Sequence, residues 1–214
     1  MKKLFLSFLF STCVCLYVSA QRSEPFSIWN YEARVASSIK VVDANMVNGS
    51  ITVVGNTDSK ATVEMFISGN SPDIRRRQWS DEEIKQELDR SYTIDVKVEE
   101  GKLLVVAKSK TNRPQFGLTF KITVPKQVNS NLKSTNGSIS ISNLSGTQGL
   151  QTTNGSLKVE NITGTVIGKT TNGSITASSS DGKISLTTTN GNINVRNLSG
   201  DITTKTSNGK VITQ

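Results

Sequence analysis

Three kinds of side chain in this sequence could do chemistry: a few carboxylates, a short run of arginines, and a repeating column of asparagines. The carboxylates Glu160, Asp181 and Asp201 lie in a repetitive C-terminal region. A glycosidase or lyase needs two carboxyl groups facing one bond. These three stand six, nine and eleven residues after the asparagine of their own repeats, so they form no common column and read as solvated turn residues. The chain contains no histidine, and its two cysteines, Cys13 and Cys15, sit in an N-terminal apolar run. Ser-His-Asp triads, cysteine nucleophiles and ordinary zinc sites are therefore not expected, nor is a cofactor. The β-roll pattern of calcium-binding aspartates is also missing.

Cations offer more. Arg75, Arg76 and Arg77 are consecutive and could hold a phosphate, an acidic glycan or an anionic lipid, although a solvated loop beside an acidic helix start would read the same way. Lys158, Lys169 and Arg196 point outward on the repeats and are candidate ligand contacts. Nucleic acid is not an expected partner, because the repeats supply no aromatic platforms for bases.

These side chains must be positioned by the repeat itself. Asn-Gly recurs as Asn136-Gly137, Asn154-Gly155, Asn172-Gly173, Asn190-Gly191 and Asn208-Gly209, with the same spacing of 18 residues each time. Three residues after each asparagine stands Ile139, Leu157, Ile175, Ile193 or Val211. Five after it stands Ile141, Val159, Ala177, Val195 or Thr213, so one face of a short strand points inward. Gly146, Gly164, Gly182 and Gly200 mark a second turn, and further inward candidates follow it, among them Gln148, Leu150, Val166, Ile184 and Ile202. Each unit then reads as two short strands and two turns. A hairpin meander is the rival arrangement, since Asn-Gly is a strong hairpin signal. The constant period favours a solenoid in which like residues stack on like. The asparagine amides would then form a ladder, and the following glycines would adopt positive φ. This column is expected to be structural.

At the start of the chain, Lys2 and Lys3 precede an apolar run from Leu4 to Val18, ending in Val18-Ser19-Ala20. Residues 1–20 read as a secretory signal peptide cut between Ala20 and Gln21. The run is too short for a spanning helix, and nothing later is apolar enough to cross a membrane. Losing Lys2 and Lys3 lowers the formal charge from +8 to +6. Both cysteines leave as well, so burial and backbone pairing must hold the mature chain.

Residues 21–133 read as a strand-rich part, continuous with the solenoid of residues 134–214. It contains an early copy of the motif, Asn48-Gly49-Ser50-Ile51-Thr52-Val53, as a first coil, and the stretch from Asn56 to Asn131 is an insertion. One helix is expected at 81–90, with Ser80 and Glu83 as a capping box and Ile84 and Leu88 on one face. Alternating strands follow around Tyr92–Val98 and Phe116–Val124, with a more continuously apolar strand, Leu103–Ala107, between them. This part would cap the first open end of the solenoid.

The signal peptide, the early Asn-Gly-Ser-Ile-Thr-Val coil, the capped helix with its hairpin and the Thr-Asn-Gly-Ser-Ile units together resemble a bacterial family. It comprises adhesin and auto-transporter-adhesin head-like domains, also called toastrack domains, of Bacteroidota-type exports. The resemblance implies an all-β protein with a single-stranded, right-handed parallel β-helix. It carries over no binding residues. The expected function is a non-enzymatic exported module, in the periplasm, at the cell surface or secreted, that presents Thr, Ser and Asn to a glycan or a cell-envelope protein. The alternatives are an envelope signalling or assembly component that forms homo-oligomers through its last coil and, remotely, a polysaccharide-active enzyme.

Overall fold

The computed structural model describes residues 16–17, 29–35, 39–58 and 60–214. The expected cleavage point at Ala20 and Gln21 and most of residues 1–20 lie outside the described residues. Leu16–Tyr17 is a short strand, β1, antiparallel to β2 (Trp29–Val35).

The repeats fold as the alternation dictates. Strands β9 (Ile139–Asn154), β10 (Leu157–Asn172), β11 (Ile175–Asn190) and β12 (Ile193–Asn208) each run for 16 residues, and β13 (Val211–Thr213) begins a fifth. Each pairs in parallel with the next, so that Ile139, Leu157, Ile175, Ile193 and Val211 stand in one register. Side chains on the inner face then stack on their own equivalents. Ile139, Ile141, Leu157, Val159, Ile175, Ala177, Ile184 and Leu186 are buried in one continuous core.

Two details differ from the sequence expectation. The second turn does not split the repeat into two strands; it is a bend inside one strand, made by Asn143, Asn161, Ser179 and Asn197 at φ 50–58° and by Gly146, Gly164, Gly182 and Gly200 at φ 94–124°. Asparagine tolerates this left-handed region better than most residues, and glycine enters it freely. The glycines of the Asn-Gly pairs, by contrast, do not have positive φ. Close approach explains them: a Cβ on Gly155 would lie 2.1 Å from the carbonyl oxygen of Gly137, and one on Gly173 would lie 2.0 Å from that of Gly155.

Strand β3 (Val41–Asn56) carries the early motif and joins the stack. Its first half pairs in parallel with β8 (Asn129–Asn136) and its second with β9, which puts Asn48 opposite Asn136 and Ile51 opposite Ile139. The other edge of β3 is covered by β6 (Lys102–Ser109) and β7 (Phe116–Pro125), both parallel to it. Antiparallel neighbours extend this part: β4 (Ala61–Gly69) on β7, β2 on β4, and β5 (Tyr92–Glu99) on β6. The result is all-β, with little helix.

The stretch before the capped helix, expected to be a polar connection, contains a short helix α1 (Pro72–Arg76). Helix α2 (Asp81–Ser91) follows, with the capping box formed: Glu83 N–H donates to the Ser80 hydroxyl and the Glu83 carboxylate accepts from Ser80 N–H. That backbone bond, then the Ser80 hydroxyl and Arg77, hold the Glu83 carboxyl below its usual range. Ile84 and Leu88 are buried, as amphipathic spacing requires.

The helical segment docks on the start of β7 through aromatics. Trp79 meets Phe116 edge-on at 4.9 Å between centroids, and the Tyr92 hydroxyl donates to the Phe116 carbonyl at 2.6 Å. Burial pushes the Tyr92 hydroxyl up from 10.0 to about 12, with the Glu87 charge adding to the effect. The folded state therefore holds this proton more tightly than the unfolded chain. The corresponding stability is complete below pH 10 and is lost as the pH rises towards about 12. Tyr92→Phe should cost about 1 kcal/mol at neutral pH through the lost hydrogen bond. It should then lose less further stability than the parent between pH 10 and about 12 in urea titrations; equal losses would contradict the assignment.

Candidate functional site

The asparagine column is the first candidate. Each amide donates to the preceding asparagine: Asn208 to Asn190 at 2.8 Å, Asn190 to Asn172 at 2.7 Å, Asn172 to Asn154 and Asn154 to Asn136 at 2.8 Å, and Asn136 to Asn48 at 2.7 Å. All the links run the same way, so each bond polarises the next. Thr135, Thr153, Thr171 and Thr189 lie beside it as an exposed column of hydroxyls.

A second hydroxyl column, which sequence reasoning missed, lies two residues before each asparagine. Ser134, Thr152, Thr170 and Thr188 are buried, and each donates at 2.8–2.9 Å to the carbonyl of a glycine in the neighbouring repeat. The signal was present as a conserved spacing within the chain: a Ser or Thr at every copy of an otherwise inward-facing position. Alternation alone assigns inward positions to apolar residues and passes over it.

The sequence-predicted cations are not brought together. Arg75 is exposed on α1, and the Arg76 side chain lies outside the described residues. Arg77 is engaged by a salt bridge to Glu83 and lies 4.2 Å above the Trp79 ring, a cation–π contact. Lys158 pairs with Glu160 at 2.7 Å, and this bond and charge, with a smaller contribution from Arg196, hold the Glu160 carboxyl below its usual range. Lys158 and Arg196 leave the asparagine turn, whereas Lys169 enters the next one. There Lys169 stands in register with Gln151 and Thr187, and Lys133 and Lys205 lie two repeats to either side. Lysines on alternate strands fall roughly 9.6 Å apart, far enough to limit mutual repulsion.

Glu160, Asp181 and Asp201 remain in separate columns, and Asp181 accepts a hydrogen bond from the Ser199 hydroxyl. Among the described residues no group of three or more His, Cys, Asp or Glu side chains could hold a metal ion.

A concave site lies where the stack meets the N-terminal part. This groove of about 570 Å³ is lined by Asn48, Ser50 and Asn136 from the stack and by Asn70, Asn112 and Arg113 from the inserted segment, with Pro114 and Leu118 as its apolar contribution. No spacing or motif announces it. Asn48 and Arg113 are far apart in the chain and come to one groove where β7 pairs with β3.

Fold and site together define an all-β protein of long strands stacked in parallel, with polar outer faces and a polar groove at one end of an asparagine ladder. No protein-family model matches the sequence, and no curated protein matches it. Among solved structures, the chain is similar to a candidate cell adhesion protein of Clostridium sporogenes ATCC 15579 (TM-score 0.40, 9% identity, covering 86% of this chain and 98% of that one). It is also similar to a candidate adhesin of Bacteroides fragilis NCTC 9343 (TM-score 0.39, 13% identity, 86% and 97%). A third is a candidate lipid binding protein of Parabacteroides distasonis ATCC 8503 (TM-score 0.29, 10% identity, 86% and 94%). The neighbours thus include proteins of the adhesin type that the repeats resemble. No helix among the described residues is long and apolar enough to cross a membrane.

Proposed function

We propose that the protein is a non-enzymatic exported module, a right-handed β-solenoid with 18-residue coils, which presents a repetitive surface to a glycan or a cell-envelope protein. The observation that carries this reading is the in-register array of exposed polar groups: the asparagine ladder, the adjoining threonine column and the alternate lysines. Identical donors recur at the interstrand spacing of roughly 4.8 Å, so a ligand with repeated acceptors gains several contacts without ordering any flexible loop.

A glycan array probed with the mature protein tests it. Replacing Lys158, Lys169 and Arg196 together by alanine should reduce binding about tenfold, because exposed charge-assisted contacts are lost, while the melting temperature stays within a few degrees. Unchanged binding, or turnover of a polysaccharide that disappears in Asp181→Asn or Asp201→Asn, would overturn the reading.

Assembly through the last coil is a second reading, favoured by the exposure of Ile202 (38%), Val211 (44%) and Ile212 (39%). Apolar side chains beside a strand with free backbone groups suit pairing with another strand. It expects oligomers in light scattering that Val211→Pro converts to monomers; a monomeric parent would sink it.

A further inference from the structure

We infer that the groove between the stack and the inserted segment binds a short acidic saccharide, with its carboxylate on Arg113 and its hydroxyls on the surrounding amides. The inference rests on the glycan-facing reading above and names the site and ligand class within it.

The head of the asparagine ladder supplies the first observation. Asn48 accepts from Asn136, but its own amide N–H groups have no acceptor among the described residues. It is the terminal donor of a chain of aligned bonds, and successive polarisation makes that donor stronger than an isolated amide. Asn48 lines the groove.

Charge supplies the second. Arg113 is exposed and makes no ion pair among the described residues, and no carboxylate is among the groove's described lining. A planar guanidinium beside an uncompensated donor suits a planar carboxylate, which it can hold through two parallel bonds.

The support of Arg113 is the third. The neighbouring loop is clamped by Asn70, whose side-chain amide donates to the Pro114 carbonyl at 2.9 Å and whose backbone N–H donates to the Gln115 carbonyl at 2.8 Å. Gly117 makes room for this clamp, since a Cβ there would lie 2.9 Å from the Asn70 side-chain oxygen. The backbone that carries Arg113 is therefore held in place next to the groove, which lowers the entropic cost of binding.

The lining also selects the class of ligand. A peptide backbone would need an open strand edge, but β7 is paired on both edges, with β3 and with β4. No aromatic ring is among the groove's described lining, so a neutral sugar or a base finds no stacking platform there. Side-chain amides and hydroxyls that both donate and accept match vicinal sugar hydroxyls, and the carboxylate supplies the charge-assisted bond.

Calorimetry of the mature protein with trigalacturonate tests the assignment, with maltotriose as the neutral control. Trigalacturonate should bind and maltotriose should not. Arg113→Ala should weaken binding by about tenfold or more, and Arg113→Lys, which keeps the charge but loses the fork, by less. Asn48→Asp retains the acceptor for Asn136 but removes the free donor and adds a like charge, so it should abolish binding. Absence of trigalacturonate binding, equal binding of maltotriose, or no effect of Arg113→Ala would overturn the inference. The glycan array separates the two claims: a parent protein that binds glycans on the array but not trigalacturonate in calorimetry leaves the wider reading standing and rejects this site, whereas a parent protein that binds nothing rejects both.

Discussion

Replacing Gly173 by alanine should destabilise the protein by about 3 kcal/mol or more, although alanine is a small residue and the backbone torsions there permit it. The added carbon would lie 2.0 Å from the Gly155 oxygen, 2.6 Å from its carbonyl carbon and 3.1 Å from the Ser156 nitrogen. All three are main-chain atoms, so no side chain can rotate away. Adjacent strands would have to separate locally, which stretches the bonds from Gly155 N–H to the Asn172 carbonyl at 3.1 Å and from Leu157 N–H to the Ser174 carbonyl at 3.0 Å. The Thr170 hydroxyl bond to the Gly155 carbonyl would be strained too. Overpacking alone costs roughly 1–3 kcal/mol, and each buried bond lost adds about 1.

Gly149→Ala is the control. Its nearest contact would be 3.5 Å away, an ordinary van der Waals distance, so it should change stability by no more than about 0.5 kcal/mol. Urea unfolding at constant m-value checks the series. Equal costs for Gly173 and Gly149 would refute close approach as the reason for the glycine column.

The second large effect is expected at Gln148, which is 0% exposed and stands in an inward column between Ser130 on one side and the apolar Val166 and Ile184 on the other. Both ends of its side-chain amide are engaged: the oxygen accepts from the Ser130 hydroxyl at 2.6 Å and the nitrogen donates to the Val128 carbonyl at 2.8 Å. Val128 and Ser130 lie where the inserted segment hands the chain back to the stack, and Gln148 satisfies the polar groups there. Gln148→Leu matches Val166 and Ile184 in polarity but leaves a buried hydroxyl and a buried carbonyl without partners, at a cost of about 2–4 kcal/mol. Adding Ser130→Ala removes one of these groups and should recover about 1 kcal/mol. A double-mutant cycle in denaturant measures the coupling, and strictly additive costs would show that the pair is not acting as described.

How the fold was legible follows from these positions. The 18-residue spacing of Asn136, Asn154, Asn172, Asn190 and Asn208 predicted their mutual hydrogen bonds, because in-register stacking places identical residues at the same height. Ser80 and Glu83 announced the start of α2 for a similarly local reason: both partners of the capping box lie within one turn. The glycines were harder to read. Positive φ and close approach both select glycine, and a string of letters does not tell them apart. Asn143, Asn161 and Asn197 form a left-handed bend that also repeats every 18 residues, but Ser179 breaks the letter pattern and obscured it.

By itself, the sequence determined what repeats: the period, the inward and outward columns, the asparagine ladder and the lack of histidine or cysteine in the repeats. These are properties of spacing and composition, and short-range geometry converts them directly into structure. Only the tertiary structure decided what meets across the insertion: β3 stacking on β8 and β9, Gln148 bridging Ser130 and Val128, and Arg113 and Asn48 lining one groove. Such contacts depend on how β6 and β7 close on the edge of β3, and that pairing is set by burial and backbone hydrogen bonding among segments far apart in the chain.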